Sequence, residues 1–361
     1  MQSMSREKKQ MKVLVVATSR KTKGGVTSVI LAHEQCDFWR DYSIRWIETH
    51  TDGIIFVKIF YAMRSFLQCL FILPFYSLIH IHLSEFPSAL RKIPFFLLAK
   101  IYRKKIIFHF HAFSPQTTIN GRYHRIYHFL FSHADRIIVL SQLWKNWVTE
   151  YLHLVDNVVV LYNPCNGVHI VDESERENLI LYAGGLNKRK GYEDLIRAFA
   201  MISKKHPTWK LAFAGSGEIE NGRRMAKGLG IYEQVLFLGW ITGKEKERWF
   251  RKARIFCLPS YAEGFPTALL DACSYGIPFV VTPVGGIPDI IINEQNGLLF
   301  TPGDTIALSS QLKLLIENPV LRKNLGQEAL NLAETTFSLK ETNRNMSKIY
   351  QGVNRHPCVN D

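Results

Sequence analysis

No C-x-x-C pair occurs in the sequence. Its six cysteines, Cys36, Cys69, Cys165, Cys257, Cys273 and Cys358, are scattered, and Cys257 and Cys273 stand inside apolar runs. That excludes a disulfide framework or a zinc ribbon and predicts reduced, buried thiols of a cytosolic protein. There is no G-x-G-x-x-G, which disfavours a dinucleotide cofactor, and no D-x-D pair to hold a divalent ion on a diphosphate. A long apolar span is also wanting. Residues 65–81 are 17 uncharged residues, at the short edge of a membrane span, and Pro74 interrupts them. They read as a helix to about Leu73 followed by a separate buried strand. The polar opening, MQSMSREKKQ, leads straight into a strand, so no signal peptide is expected.

Acidic residues are few. There are 31 Asp and Glu against 45 Lys and Arg, a net charge of +14. Residues 1–164 hold 21 cations against 10 acids and carry +11 of it. Such asymmetry predicts an anionic partner for the first half. Without aromatic RNA-binding motifs, nucleic acid ranks last, a membrane surface first, and a merely soluble basic face close behind.

What is present is a regular alternation of strand-like and helix-like runs. In the first half, strands are expected at 12–17, 43–48, 77–82, 105–110, 136–140 and 157–161. Helices are expected between them at 26–36, 54–73, 88–103, 122–133 and 143–152. A second series begins at 179–183 and continues through strands at 209–214, 235–240, 255–258 and 279–282. Helices at 305–317, 319–333 and 339–353 complete it. Repeated βαβ units mean parallel twisted sheets covered on both faces, and 361 residues suit two such domains. The expected division is 1–164 and 165–336, with 337–361 forming the end of the chain.

One stretch, residues 255–288, concentrates the chemistry: IFCLPSYAEGFPTALLDACSYGIPFVVTPVGGIP. A buried strand ends at Pro259, a loop carries Glu263 and Gly264, and a helix opens near Pro266. The free N–H groups of Thr267 and Ala268, at the positive helix end, suit a diphosphate. Asp271, farther along the same helix, can accept hydrogen bonds from sugar hydroxyls. The crevice beyond the carboxyl ends of such strands is where ligands sit in open α/β sheets.

EGFPTALLDACSYGIPFVVTPVGGIPDII resembles the signature of the family four glycosyltransferases, retaining enzymes of bacterial polysaccharide type with the GT-B fold. In that family a Glu, seven residues and a second acid flank this helix. The resemblance implies two doubly wound Rossmann-like domains facing a central cleft, the first binding acceptor and the second the nucleotide sugar, with residues 337–361 crossing back to the first. It implies that Glu263 meets the donor sugar, with Gly264 and Phe265 beside it, and that Asp271, one methylene shorter than the usual Glu, holds the ribose. Lys190, in GGLNKRKG, matches the family's phosphate-binding Lys. Gly185 stands where the family has Arg, and Lys188 or Arg189 would replace that cation. Gly215 and Gly217 match a loop near the nucleotide, and Trp240 and Ile241 the place where the base is held through backbone groups. Gly25 and His111 match a loop and a strand mouth near the donor. No cofactor or metal is implied.

Two further features remain open between readings. Residues 88–105 interleave six cations with Phe95, Phe96, Leu97, Leu98 and Tyr102, which suits a helix in a membrane interface or equally a buried helix with snorkelling lysines. His109 and His111 share a strand face and could ligate a metal, but no further ligand stands at suitable spacing. The expected activity is metal-independent transfer of a sugar from a nucleotide-diphosphate sugar to a hydroxyl. The acceptor would be a lipid-linked glycan, at the cytoplasmic face of a membrane. A GT-B epimerase and a non-catalytic membrane adaptor are the alternatives.

Overall fold

The computed structural model describes residues 11–112, 118, 120–154 and 156–355, so the expectations for the first ten residues, for Cys358 and for the end of the tail lie outside the described residues. The chain divides into two units, Met1–Leu161 with Asn343–Asp361, and Tyr162–Thr342. The boundary falls a few residues before the expected one, and the returning segment begins at Asn343 rather than at 337.

Six parallel strands make the first sheet: β1 (Val13–Ala17), β2 (Arg45–Glu48), β3 (Leu78–Leu83), β4 (Lys105–Phe110), β5 (Arg136–Val139) and β6 (Val158–Val160). Their order is β2-β1-β3-β4-β5-β6, so the direction of winding reverses between β1 and β3. Every residue of β1 and β3 is buried; β1 reads as an unbroken apolar run, while β3 carries His80 and His82 at alternate positions. Between the strands lie α1 (Gly25–Glu34), α2 (Asp37–Asp41), α3 (Ile55–Ile72), α4 (Ser88–Ile101), α5 (His124–Ser132) and α6 (Gln142–Leu152). Ser141, just beyond β5, accepts from the Trp144 N–H at 3.0 Å and caps α6.

The second sheet is also six-stranded: β7 (Leu179–Ala183), β8 (Lys210–Ala214), β9 (Val235–Gly239), β10 (Ile255–Leu258), β11 (Phe279–Val281) and β12 (Leu298–Leu299). The order β12-β11-β10-β7-β8-β9 reverses between β7 and β10. Its helices are α7 (Tyr192–Ser203), α8 (Ile219–Gly228), α9 (Gly243–Lys252), α10 (Thr267–Ser274), α11 (Thr305–Glu317) and α12 (Pro319–Glu334). Asp304 and Asn318 cap α11 and α12 through their side chains, and Pro319 opens α12, where it forfeits no hydrogen bond. Cys165, Cys257 and Cys273 in this unit and Cys69 in the first are free and buried.

The last helix, α13 (Leu339–Arg355), completes the core of the first unit. Met346, Tyr350 and Val353 pack with Val13, Val15, Phe38, Trp46 and Ile107. Tyr350 is 1% exposed, and its hydroxyl lies 2.8 Å from Nδ1 of His80.

Of the two readings left open for residues 88–105, the aromatic centre follows the buried one. Phe95, Phe96 and Leu98 of α4 are core residues, at 3%, 1% and 5% exposure, because α4 packs onto the sheet. It is α3 that turns its apolar residues outward. Residues Ile55–Phe75 are, among the described residues, the one helical stretch long and apolar enough to cross a membrane, and little of it is buried.

Replacing Tyr350 by Phe strands the His80 nitrogen and is expected to cost about 1–3 kcal/mol, whereas Tyr350→Ala should cost about 3–5 kcal/mol through the cavity it leaves. Urea unfolding followed by a probe in the first unit checks both values. A wild-type midpoint for Tyr350→Ala would show that α13 does not hold this core.

Candidate functional site

The reversal between β7 and β10 in the second unit brings two loops together, as the topology of an open parallel sheet requires. After β7 the chain forms a short turn, Lys188–Lys190, capped by the Asn187 side chain, and then passes through Gly191 at φ +66°. A Cβ on Gly191 would stand 2.0 Å from the Pro259 carbonyl oxygen, so only glycine lets this loop lie against the loop after β10. That approach delivers Lys190. Its ammonium donates to both oxygens of Glu263, at 2.6 and 2.8 Å, while the Ser260 hydroxyl donates to Oε1 at 2.6 Å.

Glu263 is held from the other side as well. Gly285, at φ +62°, passes so close that a Cβ there would be 2.3 Å from the Glu263 carbonyl oxygen, and the Gly286 N–H donates to the Gly264 oxygen at 2.7 Å. Thr282 fixes the Ser260 carbonyl at 2.5 Å. The result is a carboxylate of 9% residue exposure, fully hydrogen-bonded and neutralised, a few residues before the start of α10.

Pro266 caps α10 with extended backbone, and the first turn carries no acid. The N–H groups of Thr267 and Ala268 precede the first intrahelical bonds, and the helix dipole adds positive potential there. Asp271 lies one turn on. Burial raises its pKa and Lys246, whose Nζ is 2.6 Å away, pulls it back. Lys246 comes from α9, a helix the sequence reading did not delineate because Phe250 is its sole buried residue. Beside the Lys190 turn lies a cavity of about 420 Å³ whose lining includes Lys188, Arg189, Arg197, Asp194 and Tyr261. The Tyr261 hydroxyl donates to Asp194 at 2.8 Å, whereas Lys188 and Arg189 make no ion pair among the described residues.

Several candidate residues are thus gathered in the second unit, some in roles the sequence did not foresee. Lys190 and Glu263, read separately as phosphate and sugar contacts, are partners. The Phe265 ring is 3% exposed and packs on Tyr162 and Phe337, with centroids 5.4 and 4.9 Å away, and its carbonyl accepts from the Asn163 side chain at 3.1 Å. Gly215 and Gly217 answer a packing demand: a Cβ would lie 1.7 Å from the Gly184 oxygen or 2.3 Å from the Leu186 oxygen. Gly185 offers its carbonyl to the Tyr182 hydroxyl at 2.8 Å. Trp240 is 42% exposed and Ile241 8%. Ser260 and Lys246 were missed. The first was findable as the polar residue just beyond a strand, the second not, since its pairing is tertiary.

Gly25 and His111 belong to the first unit. Gly25 opens α1 after Gly24, which takes φ +143°. His111 follows β4, and its Nε2 is 2.8 Å from Nδ1 of His82. With His80 and His109 these make a two-by-two array on neighbouring strands, His82 standing opposite His109 in register. Nitrogen atoms of His80, His82 and His109 lie within 4.8 Å of one another. The rings stack rather than converge edge-on: His80 on His82 at 4.4 Å and 23°, His109 on His111 at 4.1 Å and 27°. Burial, reinforced by neighbouring histidines, pushes His80 and His111 down to about 3 and His82 and His109 well below their ordinary value.

Two outcomes are expected from this geometry. Lys190→Met leaves Glu263 buried without a cation and should destabilise the second unit by about 3 kcal/mol, with Lys190→Met/Glu263→Gln costing less than the sum of the single changes; a double-mutant cycle in urea reads the coupling. The unfolded chain protonates its histidines below about pH 6.5, whereas the folded array resists down to about pH 3. Stability of the first unit is therefore complete above pH 6.5 and falls as pH drops towards 3, by up to about 1.4 kcal/mol per pH unit for each such histidine. His109→Leu should flatten that slope, measured as urea midpoint against pH.

Residues 169–332 match the model of the family described as glycosyl transferases group 1. An uncharacterized glycosyltransferase of Methanocaldococcus jannaschii is 37% identical over 184 residues, which are 46% of this chain and 47% of that protein. A Campylobacter jejuni α-1,4-N-acetyl-D-galactosaminyltransferase, named for a glycan on diphospho-undecaprenol, is 31% identical over 199 residues, 53% of this chain and 54% of that one. The chain spans about half the length of the curated relatives it matches. Among solved structures, Anabaena HepE in complex with UDP-glucose superposes with a TM-score of 0.76 at 18% identity, over 95% of this chain and 100% of that one. Sucrose-phosphate synthase of Thermosynechococcus elongatus gives 0.78 at 17%, over 95% and 99%. At such identity the likeness concerns the fold, which is GT-B, with two α/β domains. Over residues 169–332 the chain is similar to the group 1 glycosyl transferases.

Proposed function

We propose that the protein moves a sugar from a nucleoside-diphosphate sugar to a hydroxyl of a lipid-linked glycan, with retention at the anomeric carbon, while attached peripherally to the cytoplasmic face of a membrane. The observation that carries this reading is the neutralised Glu263–Lys190 pair just ahead of the amide-rich start of α10. A diphosphate against Thr267 and Ala268 would bring its sugar towards Glu263 and its nucleoside ribose towards Asp271. Lys190 can then be shared between the carboxylate and the charge that grows on the leaving phosphate, where it is worth most.

In this mechanism the bond from the anomeric carbon to the phosphate oxygen breaks as the acceptor oxygen bonds on the same face. The acceptor proton passes to the departing phosphate oxygen. Glu263 orients sugar hydroxyls and stabilises positive charge on the ring, and no covalent sugar is formed on it. A lipid-linked acceptor is supported by the diphospho-undecaprenol in the name of the Campylobacter relative and by the exposed apolar face of α3. A uridine nucleotide is the first donor to try, since HepE was solved with UDP-glucose.

A panel of UDP- and GDP-sugars screened by thermal shift should contain one that raises the melting point, because ligand binding stabilises by mass action. With that donor, Glu263→Gln is expected to lose transfer by about 10³-fold or more while keeping the shift given by the nucleotide diphosphate. Loss of the shift together with transfer would mark Glu263 as a folding element and overturn its proposed role.

A further inference from the structure

The carboxyl end of β2 in the first unit holds cations that no acid neutralises. Lys92 of α4 is 2% exposed, and its ammonium donates to the Thr49 hydroxyl, with the Phe95 ring 6.0 Å off. It makes no ion pair among the described residues. Burying an ammonium without a carboxylate costs several kcal/mol in general, and natural chains rarely keep one unless something else compensates. Its neighbour Arg91 is half-buried, makes no ion pair either, and has an Nε that is buried with no partner.

Two more groups face the same place. His50, the residue after Thr49, is held below its ordinary pKa by burial and by the positive charges of Arg91, Lys58 and Lys92; Asp52 is the acid acting in the opposite sense. One oxygen of Asp52 is already taken by the Lys23 N–H at 3.1 Å. The glycine-bearing loop after β1 closes over this corner, with the Ser19 N–H on the His50 carbonyl at 2.6 Å. The corner lies at the carboxyl end of an open parallel sheet, on the side where such sheets take ligands.

The apolar face of α3 begins here. Ile55, Phe56, Phe60, Met63 and Phe71 are 62–76% exposed on a helix whose charged residues are Lys58 and Arg64. A soluble domain rarely leaves so continuous an apolar surface uncovered. Cations pointing inward at its start and hydrocarbon along its length are complementary to one kind of molecule, an amphiphile with a phosphate at its head.

We propose that Arg91 and Lys92, with Lys58 and His50, form a subsite for the phosphate or diphosphate of the acceptor lipid, whose hydrocarbon lies along the exposed face of α3. This rests on the lipid-linked acceptor reading and names the residues that would recognise it. The guanidinium and ammonium neutralise the head group, and the anion in turn neutralises a pair of charges that the empty protein buries at a cost.

Vesicle flotation of the full chain tests this without any sugar transfer, so it is read apart from the activity. Three vesicles are used: phosphatidylcholine alone, with phosphatidylglycerol, and with polyprenyl diphosphate at matched charge. The wild type should bind the polyprenyl diphosphate vesicles at least about tenfold more tightly than the phosphatidylglycerol ones, since a phosphate subsite adds the strength of charge-assisted hydrogen bonds. Inorganic pyrophosphate should compete. Lys92→Met and Arg91→Gln should each lose the preference, and Lys92→Met alone should melt higher than the wild type without lipid, because it removes an unpaired buried charge. Phe56→Ser/Phe60→Ser should lose binding to all three vesicles. Equal binding to both anionic vesicles, or variants at Arg91 and Lys92 that keep the preference, would overturn the proposal. A Lys92→Met variant that melts lower than the wild type would make Lys92 a structural residue and overturn it equally.

Discussion

A buried carboxylate is tolerable only when its charge is answered, and in the second unit the answer to Glu263 is Lys190, delivered from a loop 73 residues away in sequence. The rest of the unit can be seen as what that encounter requires. Parallel strands β7 and β10 must be neighbours, Gly191 must let the two loops touch, and Gly285 must pass behind the Glu263 carbonyl. Ser260 then takes one of the remaining lone pairs. The ion pair is not there for strength, since two buried ions rarely gain over apolar packing. What it confers is position: a carboxylate and an ammonium fixed on the loop that leads into a helix start.

Position also explains how the two acids of the central stretch differ. Glu263 is satisfied from three sides, whereas Asp271 has one cation, Lys246, and is otherwise pressed by burial towards its neutral form. The shorter side chain at Asp271 stays close to α10, and α9 brings the lysine to it. Each acid meets a lysine that the chain supplies from a different element, Lys190 from the loop after β7 and Lys246 from α9.

Legibility in the sequence followed burial. Strands β7 and β10 begin and end where their apolar runs do, because both faces of a parallel sheet are covered and the pattern admits no alternation. The resemblance to the family four signature singles out Lys190, Glu263 and Asp271, and the structure adds that the first two are an ion pair. Helix α9 carries Phe250 as its one buried residue among charged ones, so neither the helix nor the pairing of Lys246 with Asp271 had a local signal. The Phe265 ring faces the core although it stands two residues from Glu263 in the same motif. Residues 54–75 carry two cations and 88–105 carry six, yet it is α4, from the more charged stretch, that packs against the sheet and α3 that stays exposed. Tertiary context decides such cases, not periodicity.

Met346, Tyr350 and Val353 come from the far end of the chain yet sit among Val13, Phe38 and Trp46. During synthesis the opening six strands leave the ribosome long before these three side chains exist. The half of the molecule made first therefore waits, its core short of three side chains, while the half made later can already close. Order of translation and order of completion are reversed, and a nascent chain of this design needs protection for its earliest sheet until the final turns emerge.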